Sequence, residues 1–532
     1  MHLTPSTAWA WLIACAVVIL FFPLAAQFGN LKGKLSSFRT WVWAIALLGI
    51  VTAGFMPFTF DTDIAYFEVQ PFIFFITGTL LGVLFLGEFH RMNAQKKLKH
   101  PQRVHAERRT RYSKAVEQLA YPNPAVRASA ISTLAGLVDE WLADEQLSVE
   151  ARQKEGQVIV NALCAYVRSP FARAFKAEAF ESDTPPANYA GDFATDLAAF
   201  RGEQDVRRSV FVEMSKRSST LAENEKGEVA VVPGAWSGFE FDFSRAVVFY
   251  PLDGLTFENA DFSAARFCNG SDFSGAAFVG DANFTRAVFD QDARFSDVTF
   301  MGTADFSNAR FAGDAFFRWV AFSSNADFRE ASFGGDADFR DAAFTADAGF
   351  SGASFEGNAG FFRSSFGGNA SFFRTDFAGV AEFREAVFEG HAGFNAATFY
   401  GDAHFSRATF EGLAGFRDVT FKAGVEFYGA SFVQTADFCD SSFVKSPPLF
   451  AAKNVESGEV YRARFAALPT GSESADKEAH NFAVYEGSQP IPLGTAELNG
   501  VGYSIPVGTV LFDPASWDER QKEYMHVSEP AQ

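Results

Sequence analysis

Residues 304–333 read ADFSNARFAGDAFFRWVAFSSNADFREASF. Within them Phe306, Phe311, Phe317, Phe322, Phe328 and Phe333 follow gaps of five, six, five, six and five. The same alternation runs without a break from Phe262 to Phe443, giving 17 pairs and 34 Phe. Two residues before each Phe sits a small residue. It is Ala in 26 of the 34 places, and otherwise Ser271, Val298, Val320, Ser364, Thr375, Val419, Val425 or Ser441. No helical period accommodates an 11-residue unit with two large side chains at these spacings. Self-similarity at a fixed period marks a repeat architecture.

The pattern describes a stacked coil built of short strands. Each coil pairs with the next at about 4.8 Å. Side chains alternate along a strand, so the small residue two before each Phe points inward with it. Like stacks on like, so one coil holds a multiple of 11 residues. Eleven residues give two sides and enclose nothing; 22 give four sides and a core. The stretch then makes roughly 8.5 coils in a rod about 41 Å long. The core of this rod is assigned to Phe262, Phe273, Phe284, Phe306, Phe328, Phe350, Phe372, Phe394, Phe416 and Phe438. The second residue of each six-residue gap is Gly in 10 of 16 cases, as at Gly280, Gly302 and Gly357. This suggests a corner with positive φ.

The units Ala260-Asp261-Phe262, Ala282-Asn283-Phe284, Ala304-Asp305-Phe306 and Ala326-Asp327-Phe328 resemble the pentapeptide-repeat family. That resemblance implies a right-handed quadrilateral β-helix, here a Phe-rich variant with a sixth residue in every second unit. It covers about a third of the chain and speaks to fold more than to function.

Around the rod, residues 8–28, 41–60 and 71–89 are apolar runs long enough to span a bilayer. No basic residue precedes the first, which argues against the alternative of a signal peptide. Lys32, Lys34 and Arg39 follow the first run, Asp61, Asp63 and Glu68 the second, and a basic stretch from Arg91 to Lys114 the third. The positive-inside rule then puts the N-terminus outside and everything after residue 90 in the cytoplasm. The basic stretch reads either as a topology signal and linker or as a helix lying on anionic lipid. Gly78 and Gly82 form a GxxxG that would permit a homodimer.

Amphipathic helices are expected over 107–142, 157–168 and 203–217. The segments RYSKAVEQL (111–119), ISTLAGLV (131–138), VNALCAYVR (160–168) and DVRRSVFVEMSKR (205–217) are similar to the HEAT-like helical block of bacterial membrane-anchored pentapeptide-repeat proteins. That resemblance implies a bacterial inner-membrane location and carries no activity. The expected organisation is therefore three transmembrane helices (1–90), a basic linker (91–111), a helical block (112–227), the β-helix (236–446) and a C-terminal cap with a loose tail (447–532). Phe257 is the candidate for the first coil. The repeat period ends before Pro447-Pro448.

Chemistry is sparse. Cys15, Cys164, Cys268 and Cys439 lack metal or disulfide spacing. His391 and His404 are 13 apart, not a coil repeat, and read as surface residues. No catalytic, cofactor-binding or metal site is expected, and the chain reads as no enzyme. Asp261, Asp272, Asp305, Asp327 and Asp437 precede repeat Phe residues and read as solvating groups. The chain carries a net charge of −19, which argues against direct nucleic-acid binding. From 262 to 443 there are 24 acidic and 13 basic residues. Duplex DNA of that length would carry roughly 24 charges. The expected function is a membrane-anchored scaffold presenting the rod to an unknown protein partner. The alternative, which the resemblance to the pentapeptide-repeat family implies because some of its members resemble duplex DNA, is a DNA mimic that binds a type II topoisomerase.

Overall fold

The computed structural model describes residues 103–223, 229–453, 458–468, 480–521 and 523–532, with scattered helical positions between 77 and 92. The chain divides into two units, Met1–Arg111 and Tyr112–Gln532. One expectation is corrected at once. No helix among the described residues is long and apolar enough to cross a membrane. Three transmembrane helices over 1–90, and the multi-pass inner-membrane topology built on them, are therefore not supported. The runs at 8–28 and 41–60, and most of 71–89, lie outside the described residues.

The rod is a parallel β-solenoid with four sheets of 10, 10, 8 and 11 strands. Face 1 carries Phe284 and face 2 Phe289; face 3 carries Phe295 and face 4 Phe300. Register shifts by 22 residues per coil: Ala282 pairs with Ala304, Phe289 with Phe311, Ala293 with Ala315 and Phe300 with Phe322. Most strands are two residues long, which suffices because every coil is clamped above and below. Phe262 lies on face 1 and Phe273 on face 3. Phe284, Phe306, Phe328, Phe350, Phe372, Phe394, Phe416 and Phe438 continue the face 1 column, and all are buried. Along that column ring centroids repeat at 4.8 to 4.9 Å from Phe284 to Phe350, with planes within a few degrees. Rings on opposite faces meet edge-on, as Phe295 does with Phe306 at 5.4 Å and 88°. Aromatic pairs favour both arrangements.

The two kinds of corner differ in cause. After faces 1 and 3 the chain makes a tight turn, with Ala287 N–H donating to Phe284 C=O at 2.9 Å and Arg286 at φ 58°. A left-handed third residue marks a type II turn. Non-glycine residues fill most of these positions, among them Arg286, Asp297, Trp319 and Arg407. The residue before the Phe helps to hold the turn: Asp305 Oδ1 accepts from Ser307 N–H at 2.8 Å, and Asn283 Oδ1 from Thr285 N–H at 3.0 Å.

The glycines stand at the other corners, after faces 2 and 4, and for another reason. At Gly302 the backbone is not left-handed. A Cβ there would lie 2.5 Å from Gly280 C and 2.6 Å from its carbonyl oxygen. These glycines therefore permit close stacking of one coil on the next, which corrects the positive-φ reading. The following residue completes the corner with a side-chain ladder. Asp292 Oδ1 accepts from Asp314 N–H, Asp314 from Asp336 N–H, and Asp336 from Asn358 N–H at 2.8 Å.

Non-repeating sequence closes both ends. Helix α1 (103–119), α2 (Pro124–Leu142), α3 (Val149–Arg168) and α4 (Phe193–Ser215) precede the rod. α3 and α4 begin well before the expected 157 and 203. Ser148 and Asp192 cap them through bonds to Ala151 N–H and Thr195 N–H. Phe211 of α4 lies 4.6 Å from Phe243 and 6.3 Å from Phe262, at the open end of the core. The first coil begins at Glu240, earlier than Phe257, and is short: Phe241 pairs with Ala260 and Val248 with Phe267. That 19-residue step explains the irregular Phe spacing there.

At the far end the period stops but the coil does not. Phe450 stacks on Phe427 at 5.2 Å, Phe465 on Phe432 at 4.8 Å and Phe482 near Phe438 at 6.0 Å. Leu511 then pairs over Phe465. Excursions such as the Ala451–Lys453 and Val460–Arg462 hairpin leave the rod between these positions.

His480 anchors this end. Its Nδ1 accepts from Ala436 N–H at 3.1 Å and its Nε2–H donates to Ala466 C=O at 2.9 Å. Burial pulls its pKa down to about 4. The unfolded chain, with an imidazole pKa near 6.5, takes the proton first. Stability is thus full above about pH 6.5 and falls as pH drops toward 4, by on the order of 3 kcal/mol. His480→Gln should remove this component from the difference in unfolding free energy between pH 7 and pH 4. An unchanged acid sensitivity would contradict it.

The corner analysis predicts that Gly275 tolerates a side chain better than Gly302 does. Gly275 is at φ 66° with open space around it, so Gly275→Ala should cost about 1 kcal/mol. Gly302→Ala must push neighbouring coils apart and should cost roughly 1–3 kcal/mol. Equal costs in denaturant unfolding would sink the distinction.

Candidate interaction surface

The acidic residues of the rod are largely occupied by the fold. Asp261, Asp272, Asp305, Asp327 and Asp437 each accept a backbone N–H two residues on. Asp281, Asp292, Asp314, Asp336 and Asp347 each bond the N–H of the residue one coil along. On face 1, Asn283, Asp305 and Asp327 share a column that continues through Gly349, so it is not a continuous acidic stripe.

The exposed corner between faces 3 and 4 differs. From Phe317 to Phe427 the two residues after each face 3 Phe follow one another up the rod: Arg318-Trp319, Arg340-Asp341, Phe362-Arg363, Arg384-Glu385, Ser406-Arg407 and Tyr428-Gly429; the two earlier coils carry Ser274-Gly275 and Ser296-Asp297 instead. Turn geometry turns both away from the Phe core, because the chain must leave it to change face; of these residues only Ser406 is buried. Arginine and aromatic side chains therefore line one edge over six coils.

The charges on this edge are organised in pairs. Arg318 and Arg340 both bond Asp338, the latter at 2.7 Å. Arg363 pairs with Asp341 at 2.9 Å, Arg384 with Glu382 at 2.6 Å and Arg407 with Glu385 at 3.4 Å. Burial would raise the Asp338 carboxyl, but hydrogen bonds from Arg340 and Arg318 outweigh it and hold the group below the ordinary carboxylate range. The guanidinium groups also lie over rings: Arg318 over Phe316 at 5.5 Å, Arg363 over Phe362 at 4.8 Å and Arg407 over Tyr461 at 4.7 Å. Toward the C-terminal end the edge opens into a groove of about 640 Å³ between Arg384, Arg407, Tyr428, Lys453 and Tyr461.

Trp319 is the outlier. It is 58% exposed and sits at φ 54°, a conformation that costs a bulky residue about 1 kcal/mol. Exposed aromatics also occur elsewhere, at Phe373 beside Arg374 and at Tyr400 beneath Lys422. Neither belongs to a continuous arginine edge.

The other singled-out residues are placed as follows. The ten core Phe residues line the inside of faces 1 and 3 and take no part in this surface. His391 Nδ1 accepts from Leu413 N–H at 3.1 Å, and His404 lies 3.0 Å from Glu426. Cys164, Cys268 and Cys439 are free thiols; burial raises the first two to about 12. No group of His, Cys, Asp or Glu among the described residues is arranged to hold a metal ion. Reading the chain by its Phe period missed the edge. Its signal is the residue pair after every second Phe, which shows a column only at 22-residue spacing.

A four-sided parallel solenoid with a pair of five- and six-residue steps per half-coil defines a class of β-helical repeat proteins. The model of the Pentapeptide repeats family matches this chain in nine copies, over residues 252–299, 280–320, 295–343 and 372–420. The chain is a pentapeptide-repeat protein. No curated protein and no solved structure matches it.

Because Trp319 occupies a position that glycine would take without strain, Trp319→Gly should leave the unfolding midpoint unchanged or raise it. A marked drop in midpoint would show that its ring packs against the rod.

Proposed function

We propose that this protein is a non-enzymatic interaction scaffold that presents the arginine–aromatic edge between faces 3 and 4 to a protein partner. One observation carries the proposal: Trp319 is held exposed, at a backbone position unfavourable to it, next to Arg318 and to Arg340 of the following coil. Trp, Tyr and Arg are the residues that dominate protein–protein binding energy. A solenoid offers them a rigid, extended platform, so little ordering entropy opposes binding.

Mimicry of duplex DNA is less well supported. A mimic needs a regular array of free carboxylates. Here most of the rod's carboxylates accept backbone hydrogen bonds or pair with arginines. In the scaffold reading, the helical block over 112–227 and the segment over 447–532 close the ends of the rod. The span 236–446 between them carries the binding surface.

A photo-crosslinking residue placed at position 319 should give a discrete adduct with one protein in the native host. The same residue at Arg310, on face 2, should not, and Arg363→Glu should abolish the adduct from 319. Equal labelling from both positions, or labelling insensitive to Arg363→Glu, would remove the edge as the binding surface.

A further inference from the structure

A second site lies in the helical block, away from the rod edge. Where the loop after α1 meets the end of α3 and the middle of α4, a cavity of about 700 Å³ opens. Its walls are apolar, from Leu119, Pro124, Pro170, Phe171 and Ala198. Its polar lining holds Arg127, Tyr166, Glu203 and Arg207. The cavity is open to solvent and has room for a small ligand.

The charges at this cavity do not balance. Glu203 is the shared acceptor. It takes Arg207 Nε–H at 2.7 Å, Arg127 Nη2–H at 2.8 Å and the Tyr166 hydroxyl at 3.2 Å. Arg207 is buried and spends its remaining donors on Val167 C=O, Ser169 C=O and the Ser169 hydroxyl. Arg127 Nη1 donates to the Tyr121 and Pro122 carbonyls. Arg127 Nε is shut off from solvent and has no hydrogen-bond partner. At the rim, Arg173 is neutralised by Asp196 at 2.7 Å. Two guanidinium groups thus share one carboxylate, which leaves one uncompensated positive charge in a chain whose net charge is −19. Retaining a buried unpaired charge is costly unless something completes it.

We infer that this cavity binds a monoanionic carboxylate carried on an apolar stem, with the carboxylate drawn to Arg127 and the stem against Leu119, Pro170 and Phe171. The single excess charge favours a monoanion over a phosphate dianion. Arg127 keeps one uncommitted donor for it, the second hydrogen of Nη2. The apolar walls account for the stem. The shared chemistry has two sources, a free fatty acid or the C-terminus of a peptide.

The test uses the full chain and four probes: octanoate, octanamide, and an acetylated Leu-Leu-Phe tripeptide as free acid and as C-terminal amide. Calorimetric titration should show one of the two acids binding about tenfold or more tighter than its amide, a difference worth about 1.4 kcal/mol. Which acid it is identifies the source. Arg127→Gln should erase the preference. Arg127→Gln also removes two bonds to the 121–122 loop, so a second variant is needed. Ala198→Trp fills the cavity from an exposed helix position and leaves every charged residue in place. It should block binding while the unfolding midpoint stays in place. Acid and amide binding equally, no saturable binding of either acid, or binding untouched by Ala198→Trp would each overturn the assignment.

Discussion

The structure depends on one coincidence of lengths. Strands in a sheet repeat at about 4.8 Å, and parallel aromatic rings stack at nearly the same distance. Phe284, Phe306 and Phe328 repeat at 4.8 to 4.9 Å with parallel planes, so backbone ladder and ring column advance in step. A core of one residue type can then stack coil upon coil, provided each ring has a small neighbour. The Ala, Ser, Thr or Val two positions earlier supplies it. The same constraint dictates the outside. Every residue not pointing inward belongs to a strand's outer face or to a corner, and its vertical neighbour is 22 residues away.

That vertical neighbourhood gives the acidic residues their role. A carboxylate or amide at the right corner can satisfy a backbone N–H of its own coil or of the next, as Asp305 and Asp336 do. Corners are where a solenoid's backbone leaves regular pairing, so they are where side-chain acceptors stabilise most. Many of the rod's carboxylates are there as such acceptors. The edge between faces 3 and 4 is where arginines and aromatics gather instead, so the functional reading rests there.

The ends show how the columns outlast the repeat. Phe211 arrives from a helix, and Phe450, Phe465 and Phe482 from sequence without the period. An open coil exposes unpaired backbone and ring faces, which invite association with other chains. Covering them needs only an aromatic side chain at the right height, which irregular segments can deliver by any route.

The 22-residue coil, its four sides and its inward Phe columns were legible in the sequence. They follow from period-two alternation and like stacking on like, which local spacing expresses. The membrane expectation, drawn from apolar runs, found no spanning helix among the described residues. The reason for the corner glycines was decided by tertiary structure, because Gly302 meets Gly280 across coils. So were the Arg–carboxylate pairs of the edge and the meeting of Arg127, Tyr166, Glu203 and Arg207. Partners such as Arg127 and Glu203 are 76 residues apart. Nothing in the neighbourhood of either residue announces the other, so only the packed helices could bring the charges together.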